Sequence, residues 1–178
     1  MKKVFLFFFL LSGCMTAPQK AFQVDPDTEE YPLSVSEIEV VPMTAHFDAL
    51  PHVENQLPTS PEEAIQEWTK NHLKALATQD KSLWIVVDRA EMLKTDLPSD
   101  TLFKLDEESY TLNYQISLQV RKGDIIEQKI PVDGKGFITV KKKASLANKE
   151  KGWAWLIQKM LTHLKTKMKS DLKNVFVE

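Results

Sequence analysis

The sequence predicts an α+β protein: a two-layer sandwich with two helices on one face of a mixed or antiparallel four-stranded sheet, in the order strand–helix–strand–strand–strand–helix. Three observations predict it. Tyr110, Leu112, Tyr114, Ile116, Leu118 and Val120 alternate with Thr111, Asn113, Gln115, Ser117 and Gln119. Such a period of two marks a strand with one packed and one wet face. From about Lys149 to Val175, the residues Trp153, Leu156, Ile157, Met160, Leu161, Leu164, Met168 and Leu172 recur at helical spacing and form one apolar stripe. Ser60-Pro61-Glu62-Glu63 is a helix start. Ser60 can cap free N–H groups, Pro61 has no donor to waste at the first helical position, and Glu63 closes a capping box.

The remaining elements follow in order. Val35 to Val41 is a strand candidate through Ile38, Val40 and Val41, and Pro42 ends it by removing a ladder donor. Met43 to Thr59 reads as a long loop carrying Pro51 and Pro58, and loops of that length in a small domain are often functional. The helix that starts at Ser60 runs to about Leu76, with Ala64, Ile65, Trp68, His72, Ala75 and Leu76 on one face. His72 has no acid at helical spacing to orient it, so it reads as a histidine at the core edge. Ser82 to Met92 opens with Leu83-Trp84-Ile85-Val86-Val87, apolar on both faces, which predicts a central strand. A polar connection, Thr95 to Glu107, leads to the alternating strand. Lys122-Gly123-Asp124 is a hairpin turn. The strand after it carries Ile125, Ile126, Ile130 and Val132, and Pro131 makes it an edge strand or a bulged one. Gly134-Lys135-Gly136 marks a bulge or kink before Phe137 to Val140; no helix follows it, so it is a poor phosphate loop.

Composition narrows the function. The chain has 178 residues, 23 Lys and Arg against 25 Asp and Glu, and a net charge of −2. That balance disfavours nucleic acid, which asks for a basic face. The sequence contains no nucleophile elbow, zinc-protease helix, P-loop or dinucleotide fingerprint. The paired acids Glu107 and Glu108 lie in a polar link and read as solvated. His46, His52, Glu54 and Asn55 share the long loop, but His52-x-Glu54 has no third ligand nearby and makes no metal site. We expect no catalytic residues, no cofactor and no metal.

The N-terminus carries the most specific motif. Met1-Lys2-Lys3 is followed by the apolar run Val4 to Leu10, then Leu11-Ser12-Gly13-Cys14, and Cys14 is the only cysteine. A basic start, a short apolar core and small residues form a secretory signal. The run is too short to cross a bilayer, which takes about 20 residues. Leu-small-small-Cys resembles the lipobox of bacterial lipoproteins. The resemblance implies cleavage after residue 13, acylation of Cys14 and a lipid anchor. The expected organisation is a signal peptide over 1–13, a lipidated Cys and flexible tether over 14–34, and one periplasmic domain over 35–178. About 20 residues of coil would reach roughly 25 Å. Met15 is not the Asp that retains enteric lipoproteins at the inner membrane, so the expected site is the periplasmic face of the outer membrane.

Two further resemblances are weaker. The element order behind a lipobox resembles small envelope lipoproteins, such as the auxiliary lipoproteins of lipid-transport ABC systems and the lipopolysaccharide-assembly lipoprotein. Leu50-Pro51-His52-Val53-Glu54-Asn55-Gln56-Leu57-Pro58, with Ser60 to Ala64 and Trp68, resembles an uncharacterised group of alphaproteobacterial lipoproteins. Together these imply a non-enzymatic, membrane-anchored accessory of an envelope transport or assembly complex. The partner surface expected is His52, Glu54 and Asn55 in the loop, with Leu161 and Met168 on a part of the last helix that extends past the sheet. The lysines on the other face of that helix, Lys159, Lys165, Lys167, Lys169 and Lys173, fit either lipid headgroups or solvent. The alternative function is a binding module for a lipid or other small amphiphile. That reading predicts a cavity lined by Trp84, Tyr114 and Trp153; the accessory reading predicts a filled core and an exposed apolar patch.

Overall fold

Three long strands, β4 (Ser82–Leu97), β5 (Glu107–Lys122) and β6 (Ile125–Lys141), pair as an antiparallel meander, with β5, the strand of clean apolar–polar alternation, at its centre. The computed structural model describes residues 29–43, 49–77, 79–97 and 106–176. β2 (Glu37–Pro42) joins the other side of β4 in parallel, so the sheet order is β2-β4-β5-β6 and the sheet is mixed. Parallel neighbours need a crossover, and α1 (Pro61–His72) supplies it between β2 and β4. α2 (Leu146–Asp171) closes the layer. The predicted class, two helices over a four-stranded mixed sheet, is the class observed.

Two short strands were not predicted. β1 (Tyr31–Leu33) and β3 (Leu73–Ala75) form a parallel ribbon, Tyr31 opposite Leu73 and Leu33 opposite Ala75. Tyr31 and Leu33, expected in a tether over 14–34, are buried in the core. α1 stops at His72 and not near Leu76: Leu73 turns extended, at φ −100° and ψ 131°, to meet β1. Ala75 and Leu76 leave the helical face and are exposed, while Ala64, Ile65, Trp68 and His72 stay buried. The N-terminal box of α1 forms as expected. The Ser60 side chain accepts the Glu63 N–H at 3.2 Å, and the Glu63 carboxylate accepts the Ser60 N–H at 2.8 Å.

The core is the layer between the inner face of the sheet and the two helices. Leu83, Ile85, Val87, Met92, Leu112, Ile116 and Leu118 point into it from the strands. All eight residues of the predicted α2 stripe are buried there. Each large apolar side chain so placed contributes on the order of 2 kcal/mol. This corrects one expectation. Leu161 is 2% and Met168 1% exposed, so neither offers itself to a partner. The stripe does not outrun the sheet, because α2 crosses β6 and β5 and its last turns are covered by the β1 end of the chain.

Glycine decides how closely α2 approaches. Gly134 and Gly136 stand at inward positions of β6, opposite Tyr114 and Leu112. A Cβ on Gly134 would overlap the Tyr114 hydroxyl, and one on Gly136 would come within 3.0 Å of Leu156. The Tyr114 hydroxyl shares a 2.8 Å hydrogen bond with His163 Nδ1 of α2. Gly152 of α2 is different: its Cβ would meet only the terminal methyl of Ile138, the end of a flexible side chain. Gly134→Ala is expected to cost about 1–3 kcal/mol through displacement of Tyr114. Gly152→Ala is expected to be neutral or stabilising by up to about 1 kcal/mol, since alanine is the better helix former. Urea midpoints of the two variants check the contrast.

Candidate functional site

Cys14 and His46 lie outside the described residues. Residues 49–59 of the loop predicted as a partner surface are described. β2 ends at Pro42, opposite Val87, and leaves the next stretch of β4 without a strand beside it. An open strand edge invites foreign pairing unless something covers it. The loop covers it. Val53 N–H donates to Met92 O at 3.0 Å, and Lys94 N–H donates to Pro51 O at 2.7 Å. Met92 N–H donates to the Glu54 carboxylate at 2.6 Å. His52 bridges to Leu93 and has its Nδ1 3.4 Å from the same Glu54 oxygen. Val53 is wholly buried. His52 and Glu54 thus hold a sheet edge, and of the three loop residues only Asn55, in a single 3-10 turn (Glu54–Gln56), is exposed. Among the described residues no group of three His, Cys, Asp or Glu side chains is placed to hold a metal ion.

His72 is a core-edge histidine, as expected. Its ring packs 5.7 Å from Trp68 and 6.5 Å from Tyr31, and Nδ1 lies 2.9 Å from the Glu29 carbonyl. The Glu29 carboxylate accepts from the Tyr31 hydroxyl at 2.7 Å and sits beside Lys165 and Lys169. The Tyr31 hydrogen bond, then Lys169, hold its carboxyl below the usual range. Both lysines also lie over the Tyr31 ring, at 5.2 and 4.5 Å. Two of the five lysines read as a lipid-facing or solvated set therefore fasten the start of the domain onto α2.

Glu108 overturns another expectation. Read as solvated, it has no exposed surface. The alternation of β5 explains this: Glu108 falls on the inward row with Tyr110 and Leu112. Its carboxylate meets Lys149 of α2, Lys94 of β4 at 2.9 Å and the Tyr110 hydroxyl at 3.0 Å. Burial pushes its pKa up, but the hydrogen bonds from Lys149, Lys94 and Tyr110 outweigh that and leave it below the ordinary value. Burial, and the hydrogen bond to Glu108, push the Tyr110 hydroxyl above its own ordinary value. This is a structural tie, closed to solvent, and not a catalytic acid.

The face of the sheet that carries no helix among the described residues offers a different site. A β-bulge between Val87 and Arg89 shifts the register of β4 against β5. Beside it an open groove of about 370 Å³ is lined by Arg89, Asn113, Gln115, Asp133, Lys135 and the Tyr114–Gly134 pair. Cross-strand registers set Arg89 beside Gln115 and Gln115 beside Asp133, with Glu91, Asn113 and Lys135 in the next row. Asn113 donates to Glu91 at 3.2 Å. The groove presents both charges and amide groups but no nucleophile paired with a base. Phe137, 68% exposed, lies one position further along β6 on the same face. Asn113 and Gln115 were legible as the wet side of an alternating strand; the bulge that opens the groove has no sequence signal.

The cavity of the alternative reading does not assemble. Trp84 alternates with the inward Leu83 and Ile85 and lies on the opposite face, under Arg121 at 4.0 Å. Tyr114 and Trp153 face inward, the first against His163 and the second edge-on to Tyr110 at 5.2 Å.

No protein-family model and no curated protein matches this chain. Among solved structures, a minor lipoprotein from Acinetobacter baumannii aligns over 80% of this chain and 96% of its own, at 11% identity and a TM-score of 0.42. Rare lipoprotein B from Shewanella oneidensis aligns over 78% and 95%, at 10% identity and a TM-score of 0.41.

Two outcomes test the structural assignments. Glu54→Ala removes the acceptor of the Met92 N–H and is expected to cost about 1–2 kcal/mol by chemical denaturation. Glu108→Ala strands two lysines and is expected to cost about 3 kcal/mol. Because the folded pKa of Glu108 lies below its unfolded value, its stabilisation is complete above about pH 5 and is lost as pH falls through the folded value. Glu108→Gln should therefore flatten the acid limb of the stability–pH curve.

Proposed function

We propose that the protein is a lipid-anchored, non-enzymatic accessory of an envelope transport or assembly complex. In this reading Cys14 carries the lipid, and the domain docks on its partner through the helix-free face of the sheet. The observation that carries it is the contrast between the two faces. The layer between helices and sheet is filled by packed side chains, including every predicted cavity residue that faces inward. The opposite face has a polar groove and, beside it, an exposed Phe137. Interfaces that are neither obligate nor catalytic combine an aromatic anchor with a polar surround. The basic start, short apolar run and lone Cys14 support the anchor, and no described helix is long and apolar enough to cross a membrane. The outer membrane remains the expected site, from Met15.

Crosslinking in intact cells, followed by purification from detergent-solubilised envelopes, tests this reading against a Cys14→Ala chain. One stoichiometric membrane-complex partner, lost in the control and weakened by Phe137→Asp, is the expected result. Recovery of the protein alone with co-purifying lipid would favour the amphiphile carrier and sink the accessory.

A further inference from the structure

We propose that the free edge of β6 is an interface between two copies of this chain, paired antiparallel about a two-fold axis at Gly134. Among the described residues, β6 ends the sheet and is paired only with β5. In an antiparallel ladder, alternate residues turn both backbone groups to the same side. Lys142 N–H donates to Asp106 O at 2.9 Å, in the register that sets Gly134 opposite Tyr114. Even-numbered residues of β6 therefore face β5, and odd-numbered residues from Lys129 onward turn their N–H and C=O groups outward. Pro131 is one of the outward residues, so its missing N–H costs the β5–β6 ladder nothing. What remains is a long, regular edge of unpaired backbone groups, which sheets ordinarily cover or guard.

The complement to this edge is the strand itself. Folding β6 onto a second copy about Gly134 sets Asp133 of each chain opposite Lys135 of the other. It sets Pro131 opposite Phe137, covering the exposed ring. On the helix side it sets Ile130 opposite Ile138 and extends the apolar row across the axis. At the centre two glycines meet in a non-hydrogen-bonded pair, where Cα atoms approach to about 4.5 Å. Among the described residues, Lys129, Asp133 and Lys135 have no ion-pair partner to give up. The other register that matches opposite charges centres on Pro131. Both registers lose two proline N–H groups, at Pro131–Pro131 in one and at the two Pro131–Phe137 pairs in the other, but the Pro131 register sets the irregularity of β6 at Glu127 opposite Lys135 inside the ladder, whereas the Gly134 register leaves it at the ladder's ends. The Gly134 register joins the two sheets into one and brings the grooves beside Asp133 and Lys135 together at the axis. This pairing covers Phe137 and so competes with a foreign partner for that ring; rescue by the double charge exchange at 133 and 135 reads the pairing of two copies alone.

Sedimentation of the full chain in mild detergent tests it, with Asp133→Lys, Lys135→Asp and the double exchange. Either single variant sets like charges opposite each other twice per dimer and is expected to raise the dimer dissociation constant about tenfold. The double exchange restores attraction at the same pairs and is expected to return the constant to within about threefold of wild type. Circular dichroism checks that each variant keeps its sheet. A wild-type chain that is monomeric throughout, single variants that dimerise as wild type does, or a double exchange as weak as the single ones would each overturn the proposal. So would a photo-crosslinker at position 137 that captures only a foreign chain and never the Pro131 region of a second copy.

Discussion

The packing of α2 on the inner face of the β4–β5–β6 meander is the constraint on which the rest depends. A helix carrying Trp153, Leu156, Met160 and Leu164 on one stripe needs a flat apolar floor. β5 supplies that floor by strict alternation, and β6 lets the helix down onto it by having no side chains at Gly134 and Gly136. Tyr114 fills the space left by Gly134 and reaches His163. Close approach and filled space are one arrangement: the glycines are small because Tyr114 and Leu156 are large.

Two polar ties hold the helix in register on that floor, one near each end. Toward its start, Lys149 meets Glu108, which is also paired with Lys94 from β4. No acidic residue stands in the first turn of α2, where Ser145 caps the helix by accepting the Asn148 N–H. Toward its finish, Lys165 and Lys169 hold Glu29 and Tyr31. The same region closes the chain, with Ser34 N–H donating to Val175 O at 2.7 Å and Leu33 bridging to Phe176. Entry to and exit from the domain are therefore side by side. A buried ion pair contributes little net stability but makes misplacement costly, because either partner alone is an uncompensated charge.

The face without helices has the opposite character. Its rows of Arg89, Gln115 and Asp133, and of Glu91, Asn113 and Lys135, are polar and only partly covered. The bulge at β4 opens the groove there, and bulges commonly sit where a sheet meets something else. The 49–60 loop serves the sheet in another way, substituting a carboxylate and two backbone contacts for the strand that ends at Pro42. Its length, which suggested function, is explained by the stretch of β4 edge it spans. Asn55 alone among its expected partner residues is exposed.

Local signals were legible wherever the cause was local. The alternation of 110–120, the capping box at Ser60 and Glu63 and the stripe of the last helix all formed as read, because each is a contest among neighbours a few residues apart. What the sequence could not show was decided by contacts far along the chain. α1 ends at His72 because β1 offers Leu73 a partner, more than 40 residues upstream. Glu108 is buried because Lys94 and Lys149 arrive from other elements to neutralise it, so a residue that looked solvated became an interior tie. Leu161 and Met168 were known to be apolar, yet only the placement of α2 over the sheet determined that nothing but the core would receive them. The groove follows the same logic: its residue types were visible on the wet side of a strand, but a one-residue bulge set their spacing. By itself the sequence determined the long strands and the two helices and which of their faces are apolar; the tertiary structure decided the short β1–β3 ribbon and the end of α1, which charges are buried and which polar faces converge, because those depend on where distant segments meet.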